Sequence, residues 1–382
     1  MHLIKTIRAA AAAAVAAGIG LSAAGGVAGA APYDHFHQHG HALFIETDAS
    51  SGNQVLSYHR AADGTISFAG SYSTGGIGAT AAGATADPLA SQGGLALINN
   101  GDELVATNAG SDTITIFAVR GTHLTYLQQL GSDGQFPVSV DASGRYLAVL
   151  NAGGTGSVAQ FRLDGGYVDP GSAQVRSLGL NNTTPPDYLH GAGEVGFTPD
   201  GKHLVVTTKA STSSFEVFSV NPHGRLGSTA VITGADNPVP FAFTFDGAGH
   251  LVATEALNSF VSVYEVHADG TLSSLGTVSD GAHALCWIAT ANGFFFGDNA
   301  GSGTVSSFDE GASGSPQLLA ATAATAHAGT TDSVVSPDGR YLYVESGGAG
   351  TIDAYVIGAT GTLVQLETIF NIPLASEGIA AS

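Results

Sequence analysis

From residue 42 onward the chain alternates short apolar runs with glycine-rich polar turns, and one phrase recurs along it. In its clearest copy, Ser336-Pro337-Asp338-Gly339-Arg340 reads as a tight turn. Pro337 presets φ and Gly339 accepts φ > 0. Tyr341-Leu342-Tyr343-Val344 then supplies β-formers for a strand. A second strand-like run follows at 351–356, and the turn at 359–363 leads into Val364-Gln365-Leu366. A repeat of about 40–50 residues with several strands per unit is the pattern of a β-propeller blade.

Aligning the copies predicts seven blades. Apolar runs at 42–45 and 55–58 open blade one, and those at 95–98, 104–107 and 113–117 form blade two. Blade three takes 137–140, 145–149 and 157–161; blade four takes 194–197, 204–207 and 215–218. Blade five takes 241–243, 251–254 and 261–264; blade six takes 285–288, 294–296 and 304–308. Blade seven is the phrase described above. Blade one has no innermost strand before Ala42, whereas Glu377-Gly378-Ile379-Ala380-Ala381-Ser382 looks like the start of a blade. The expected fold is therefore all-β, a seven-bladed propeller over 42–382, closed by the C-terminal strand completing blade one. The polar stretch 181–190, with Pro185-Pro186, reads as an inserted loop. No run keeps a 3.6-residue period, so almost no helix is expected.

The first 41 residues follow a different pattern. Lys5 and Arg8 precede an Ala-rich apolar stretch at 9–21, and Ala28-Gly29-Ala30 resembles a cleavage site. Residues 1–30 thus read as an export signal, with a mature chain starting near Ala31 and working outside the cell, in the periplasm or in the cell envelope. His35, His37, His39 and His41 alternate in the 31–41 segment. In a strand they would share a face and could bind a transition metal. No Asp, Glu or Cys is spaced to complete a recognised site, so the segment is read as a loose mature N-terminus. No metal and no cofactor are expected.

Charge narrows the partners. The 31 acidic and 11 basic residues give a formal net charge of −20, which disfavours nucleic acid and anionic membranes. A small-molecule substrate or ligand and a monomeric propeller are expected. Cys286 is the only cysteine, so no intramolecular disulfide forms, and its apolar neighbours predict a buried, inert thiol.

Each blade's second strand ends in one polar residue: Asp48, Asn108, Asn151, Thr208, Glu255, Asn299 and Ser346. Loops at this end of a propeller surround the central channel. The periodic Asn residues suit turn capping, but Asn108, Asn151, Asn299 and Glu345 are also candidate substrate contacts. Glu255 places a carboxylate where neighbouring blades have amides, and Lys209 adjoins the column one blade earlier. His190 and Glu194 lie in the loop entering blade four. These four, His190, Glu194, Lys209 and Glu255, could converge on one funnel for general acid–base chemistry. The plainer alternative is a set of satisfied turn residues with a Lys209–Glu255 ion pair.

The phrases Phe197-Thr198-Pro199-Asp200-Gly201-Lys202, Ser336-Pro337-Asp338-Gly339-Arg340-Tyr341-Leu342-Tyr343-Val344 and Ala268-Asp269-Gly270-Thr271-Leu272 resemble the lactonase-type seven-bladed propeller family. That family includes propeller-type 6-phosphogluconolactonases and carboxymuconate lactonizing enzymes. The resemblance extends over nearly the whole mature chain. Members often carry Pro-His-x-His before the turn of a middle blade. Here those His positions are Gly191 and Gly193, and the Asp-Leu-Gly that often follows the second strand is Thr208-Lys209-Ala210. The resemblance implies a hydrolase or isomerase acting on a small lactone or unsaturated carboxylic acid. The missing His pair favours the alternative, a non-catalytic propeller that binds a ligand or partner through the same face.

Overall fold

The computed structural model describes residues 41–311 and 314–382. The export signal and nearly all of the His-rich segment lie outside them. The described chain forms seven four-stranded antiparallel sheets. Blade two, for example, runs Leu95–Ile98, Glu103–Asn108, Thr113–Arg120 and His123–Gly131 from the axis outward. Blade one is completed as expected. Ile379–Ala381 is its innermost strand and pairs antiparallel with Ala42–Glu46, setting Leu43 opposite Ala381 and Ile45 opposite Ile379. Joining the two ends of the repeat in one sheet leaves no blade with an open inner edge.

The core is divided as the repeat is. Seven apolar clusters fill the interfaces between successive blades; Val138, Leu150 and Val158 of blade three, for instance, meet Val195, Leu204 and Phe218 of blade four. A strand buried on both faces reads as a continuous apolar run, as Leu104-Val105-Ala106 and Leu204-Val205-Val206 do. The third strand of each blade carries a buried aromatic at one repeated position: Tyr58, Phe117, Phe161, Phe218, Tyr264, Phe308 or Tyr355. In every blade except the fourth, a bulge shifts the register between third and fourth strands at this residue. A bulge adds local twist, which suits a blade whose outer strands must turn away from the axis.

The turn chemistry of the repeat is also realised. Ser336 Oγ accepts the Tyr341 N–H at 3.0 Å, and Gly339 takes φ +69°. Helix is confined, among the described residues, to the single turn Lys209–Thr212 and a 3-10 turn at Asn99–Gly101. One alignment changes. Leu43 pairs with Tyr58 as Leu104 pairs with Phe117, so Thr47 of blade one, not Asp48, is equivalent to Asn108. The connection after Glu46 is one or two residues longer than its counterparts, which a count back from the aromatic misassigns.

Candidate functional site

The second-to-third-strand loops and the connections between blades gather on one face, called here the upper face. Two of those connections are long: 74–94, from blade one to blade two, and 178–194, from blade three to blade four. They clasp each other. Ala82 N–H donates to Pro186 O at 2.7 Å, and Tyr188 N–H donates to Ala82 O at 3.1 Å. From this clasp the first loop descends into the central channel. Ser91 Oγ donates to Val138 O of blade three at 2.7 Å, and Trp287 Nε1 of blade six donates to Ser91 O at 2.7 Å. Gln92 N–H donates to Gly193 O of blade four at 3.2 Å, and its side-chain oxygen accepts Ile288 N–H at 2.9 Å. Leu89, Ala90 and Ser91 are fully buried. The channel mouth is filled by the protein's own chain.

Two charged side chains hold this plug from opposite sides. Glu377, just before the closing strand, accepts Leu89 N–H at 2.6 Å and Ser91 N–H at 3.0 Å. Lys209 Nζ donates to Ala90 O and to Tyr188 O, both at 2.6 Å, so one ammonium pins both loops. Its ammonium also lies 5.4 Å from the Phe241 ring centre. Burial pulls Lys209 down to about 8, although the negative field of Asp87 and Glu377 opposes the shift.

The surroundings are strongly acidic. Glu46, Asp48, Glu194, Asp332, Glu345 and Glu377 are all raised well above the usual carboxyl range, in each case chiefly by burial. Mutual repulsion adds to this: Asp332 and Asp48 act on Glu345, and Asp87 and Asp48 act on Glu377. Burial raises Asp298 to about 7. Neither carboxyl oxygen of Glu345 has a hydrogen-bond partner, and Asp298 has only the Ser333 hydroxyl beside it.

The candidate residues therefore divide. Glu194 and Lys209 meet the same plug: Glu194 Oε1 accepts Gln92 Nε2–H at 3.3 Å, and Oε2 accepts Phe243 N–H at 2.5 Å. Glu255 stays within its own blade. It accepts from Asn237 and Ser262 through Oε2 and from Tyr264 through Oε1, and makes no ion pair with Lys209. Asn108, Asn151 and Asn299 are wholly buried; Asn108 Nδ2 donates to Thr115 Oγ1 at 3.0 Å and Asn299 Nδ2 to Ser306 Oγ at 2.9 Å, each on the third strand, whereas Asn151 Nδ2 donates to Ser132 O at 3.1 Å. Glu345 is wholly buried as well. In this conformation none of these seven side chains faces solvent.

His190 is the exception. It is exposed on the rim of an upper-face groove of about 560 Å³, lined by Ala82, Leu180, Asn182, Asp187, Ser211 and Thr212 among others. Its Nδ1 lies 2.8 Å from Asp187 Oδ1, and Ser211 Oγ donates to its carbonyl. The bond to His190 holds the Asp187 carboxyl below its usual range, aided by the Leu189 and His190 backbone N–H groups. Nε2 makes no hydrogen bond among the described residues. The Nδ2 amide of Asn182, also on the groove, has no partner. Asp187 was not among the residues singled out above. Its signal is the spacing Asp187-x-x-His190, which in a turn lets the carboxylate reach the imidazole.

The family model described as "Lactonase, 7-bladed beta-propeller" matches residues 33–177. This agrees with the resemblance carried by the turn phrases. Solved structures match over nearly their full length. A 6-phosphogluconolactonase candidate from Bacteroides fragilis is 17% identical, with TM-score 0.69, covering 91% of this chain and 99% of that one. The periplasmic gluconolactonase of Pseudomonas aeruginosa is 19% identical, with TM-score 0.66, covering 89% and 98%. At such identities the likeness is one of fold. A search of curated protein sequences returns no match.

Proposed function

We propose that this chain hydrolyses a small lactone outside the cytoplasm, with His190 as the acid–base group and Asp187 orienting it. The observation that carries this reading is the 2.8 Å His190–Asp187 pair on an open groove, with Nε2 unengaged. The lactonase-type family match and the likeness to a periplasmic gluconolactonase support the substrate class and the location, as does the signal-like segment at 1–30. A groove of this size suits a single sugar-acid ring.

The chemistry needs a base, an acid and a donor for the oxyanion. His190 Nε2 takes a proton from water as its oxygen attacks the lactone carbonyl carbon. Asp187, bonded to Nδ1, fixes the tautomer and stabilises the imidazolium that forms. The Asn182 amide, unpaired but enclosed in the groove wall, would serve the tetrahedral oxyanion only once its side chain turns outward. Collapse then breaks the ring C–O bond, and the imidazolium returns its proton to the departing alkoxide. The product is a hydroxy acid. Lactonisation of an unsaturated dicarboxylate is less well served, because no Lys or Arg lines the groove and Lys209 is engaged beneath the plug.

A panel of aldonolactones assayed with wild type and His190→Ala tests the reading. Turnover should fall about 10²-fold or more in the variant with its fold intact, the usual loss for one acid–base group. Turnover equal to wild type would remove His190 from the chemistry. The filled channel favours one other reading, a non-catalytic propeller that binds through the upper face. Absence of hydrolysis across the panel, together with saturable lactone binding lost in His190→Ala, would establish that reading instead.

A further inference from the structure

The lower face, opposite the plug, carries a departure from the repeat that turn formation does not require. In blades four and seven the turn between first and second strands opens with a hydroxyl. Thr198 Oγ1 accepts His203 N–H, and Ser336 Oγ accepts Tyr341 N–H, each at 3.0 Å. Blade five opens with Asp246 instead. One oxygen suffices for the turn: Oδ1 accepts Ala248 N–H at 2.9 Å and His250 N–H at 2.8 Å. The second oxygen, Oδ2, is surplus to it. It stands 2.7 Å from His250 Nδ1.

A third group comes from blade six. The residue two places after the third-strand aromatic is aliphatic in five blades: Val119, Leu163, Val220, Val266 and Ile357. The exceptions are Arg60 in blade one and Glu310 in blade six. Each faces the turn of the preceding blade. Arg60 there meets the acid Asp338 at 3.9 Å, so the charges compensate. Glu310 meets the acid Asp246 and brings its Oε1 to 3.7 Å from His250 Nδ1. At the equivalent interface, then, a second carboxylate replaces the cation. The Asp246 side chain is almost wholly buried, and Lys and Arg make no ion pair with either acid among the described residues.

We propose that Asp246, His250 and Glu310 form a binding site for a divalent transition-metal ion of the zinc class. One donor atom from each lies within 4.8 Å of the other two. Donors around a tetrahedral zinc ion, with bonds of about 2.1 Å, stand roughly 3.4 Å apart, and the 2.7 and 3.7 Å separations straddle that value. One imidazole and two carboxylates suit zinc or manganese better than copper or an iron–sulfur cluster, and leave a position for water. The ion would supply the positive charge that Arg60 supplies in blade one, and would staple blade five to blade six.

The test uses the full chain with His35, His37 and His39 replaced by Ala, which removes the other histidine cluster. Calorimetric titration with Zn²⁺ should show one bound equivalent and an increase in melting temperature. Asp246→Ser restores the hydroxyl cap of blade seven, and Glu310→Ile restores that blade's aliphatic residue, so both variants should fold. Each should weaken zinc binding at least about 10-fold, a typical loss for a ligating shell. No zinc bound by the parent, or equal affinity in the parent and both variants, would overturn the proposal.

Discussion

One strand position, three residues beyond the leucine or phenylalanine paired with the third-strand aromatic, divides the ring into two unequal regions. In blades two, four and five it is Thr107, Thr207 and Thr254, in blade three it is Leu150, and in blades six, seven and one it is Asp298, Glu345 and Glu46. Thr207 Oγ1 donates to Phe241 O at 2.7 Å and Thr254 Oγ1 to Cys286 O at 2.5 Å, each clamping the inner strand of the next blade. Thr107 Oγ1 makes no such bond, and neither do Asp298 and Glu345. The backbone is equivalent in both regions, so the fold needs at most a hydroxyl here. The acids are an addition, gathered on the side where Glu377 anchors the plug.

Removing residues 376–382 should break the acidic side altogether, since the closing strand and the Glu377 anchor go together. The expected loss is of the order of the whole stability of a domain, about 5–15 kcal/mol. Size-exclusion chromatography should show aggregates, and an unaltered melting curve would mean that closure is dispensable. A smaller disturbance is to carry the acid into the threonine side. Thr254→Asp deletes the clamp to Cys286 O and buries a carboxylate beside Trp287, which should cost about 3 kcal/mol. Denaturant unfolding at pH 8 measures it, and a cost below about 1 kcal/mol would show that blade five tolerates acid as blade six does.

The mildest test is pH. Carboxyls whose folded values are raised bind protons more tightly in the native state than in the unfolded chain, where they titrate near 4. Their contribution is present below about pH 4 and is lost as pH rises through the folded values, about 6 for Asp141, about 7 for Asp298 and well above the usual range for Glu345. Melting temperature should therefore be higher at pH 5 than at pH 7.5, by several degrees. Lys209, lowered to about 8, adds a slope of opposite sign only above that window. Asp298→Asn with Glu345→Gln should raise the pH 7.5 value and narrow the gap. A melting temperature that rises from pH 5 to 7.5 would contradict the assignment of these acids.

The blades were legible because their signals are local: a turn with Pro and Gly, an alternating strand, an aromatic at fixed spacing. The closing strand was legible as a strand without a blade. The ring of Asn residues was legible as structural, but not in its partners: the turn N–H groups bond to the Asn108 and Asn299 backbone carbonyls, and the side-chain amides reach third-strand hydroxyls or, for Asn151, Ser132 O. The plug was not legible. Residues 74–94 are mostly Gly, Ala, Ser and Thr, and nothing in them distinguishes a surface loop from one that enters a channel. What fixes their course is a set of distant partners, Glu377, Lys209, Trp287 and Val138, each invisible to a local reading. The Lys209–Glu255 pair failed to form for the related reason that opposite charges in adjacent blades reveal nothing about which backbone groups compete for them.

The anchoring of the plug by Glu377 also has a consequence in time. Synthesis proceeds from the N-terminus at about 5–20 residues per second, so loop 74–94 leaves the ribosome long before its partner 288 residues downstream of Leu89. Blade one meanwhile pairs Ala42–Glu46 with Gln54–Arg60 on one edge only, and the inner edge must wait for Ile379–Ala381. The same late segment finishes the sheet and seats the plug. Sealing of the ring and stopping of its channel are thereby one event, so a nascent propeller remains open at its axis until the chain is almost fully made.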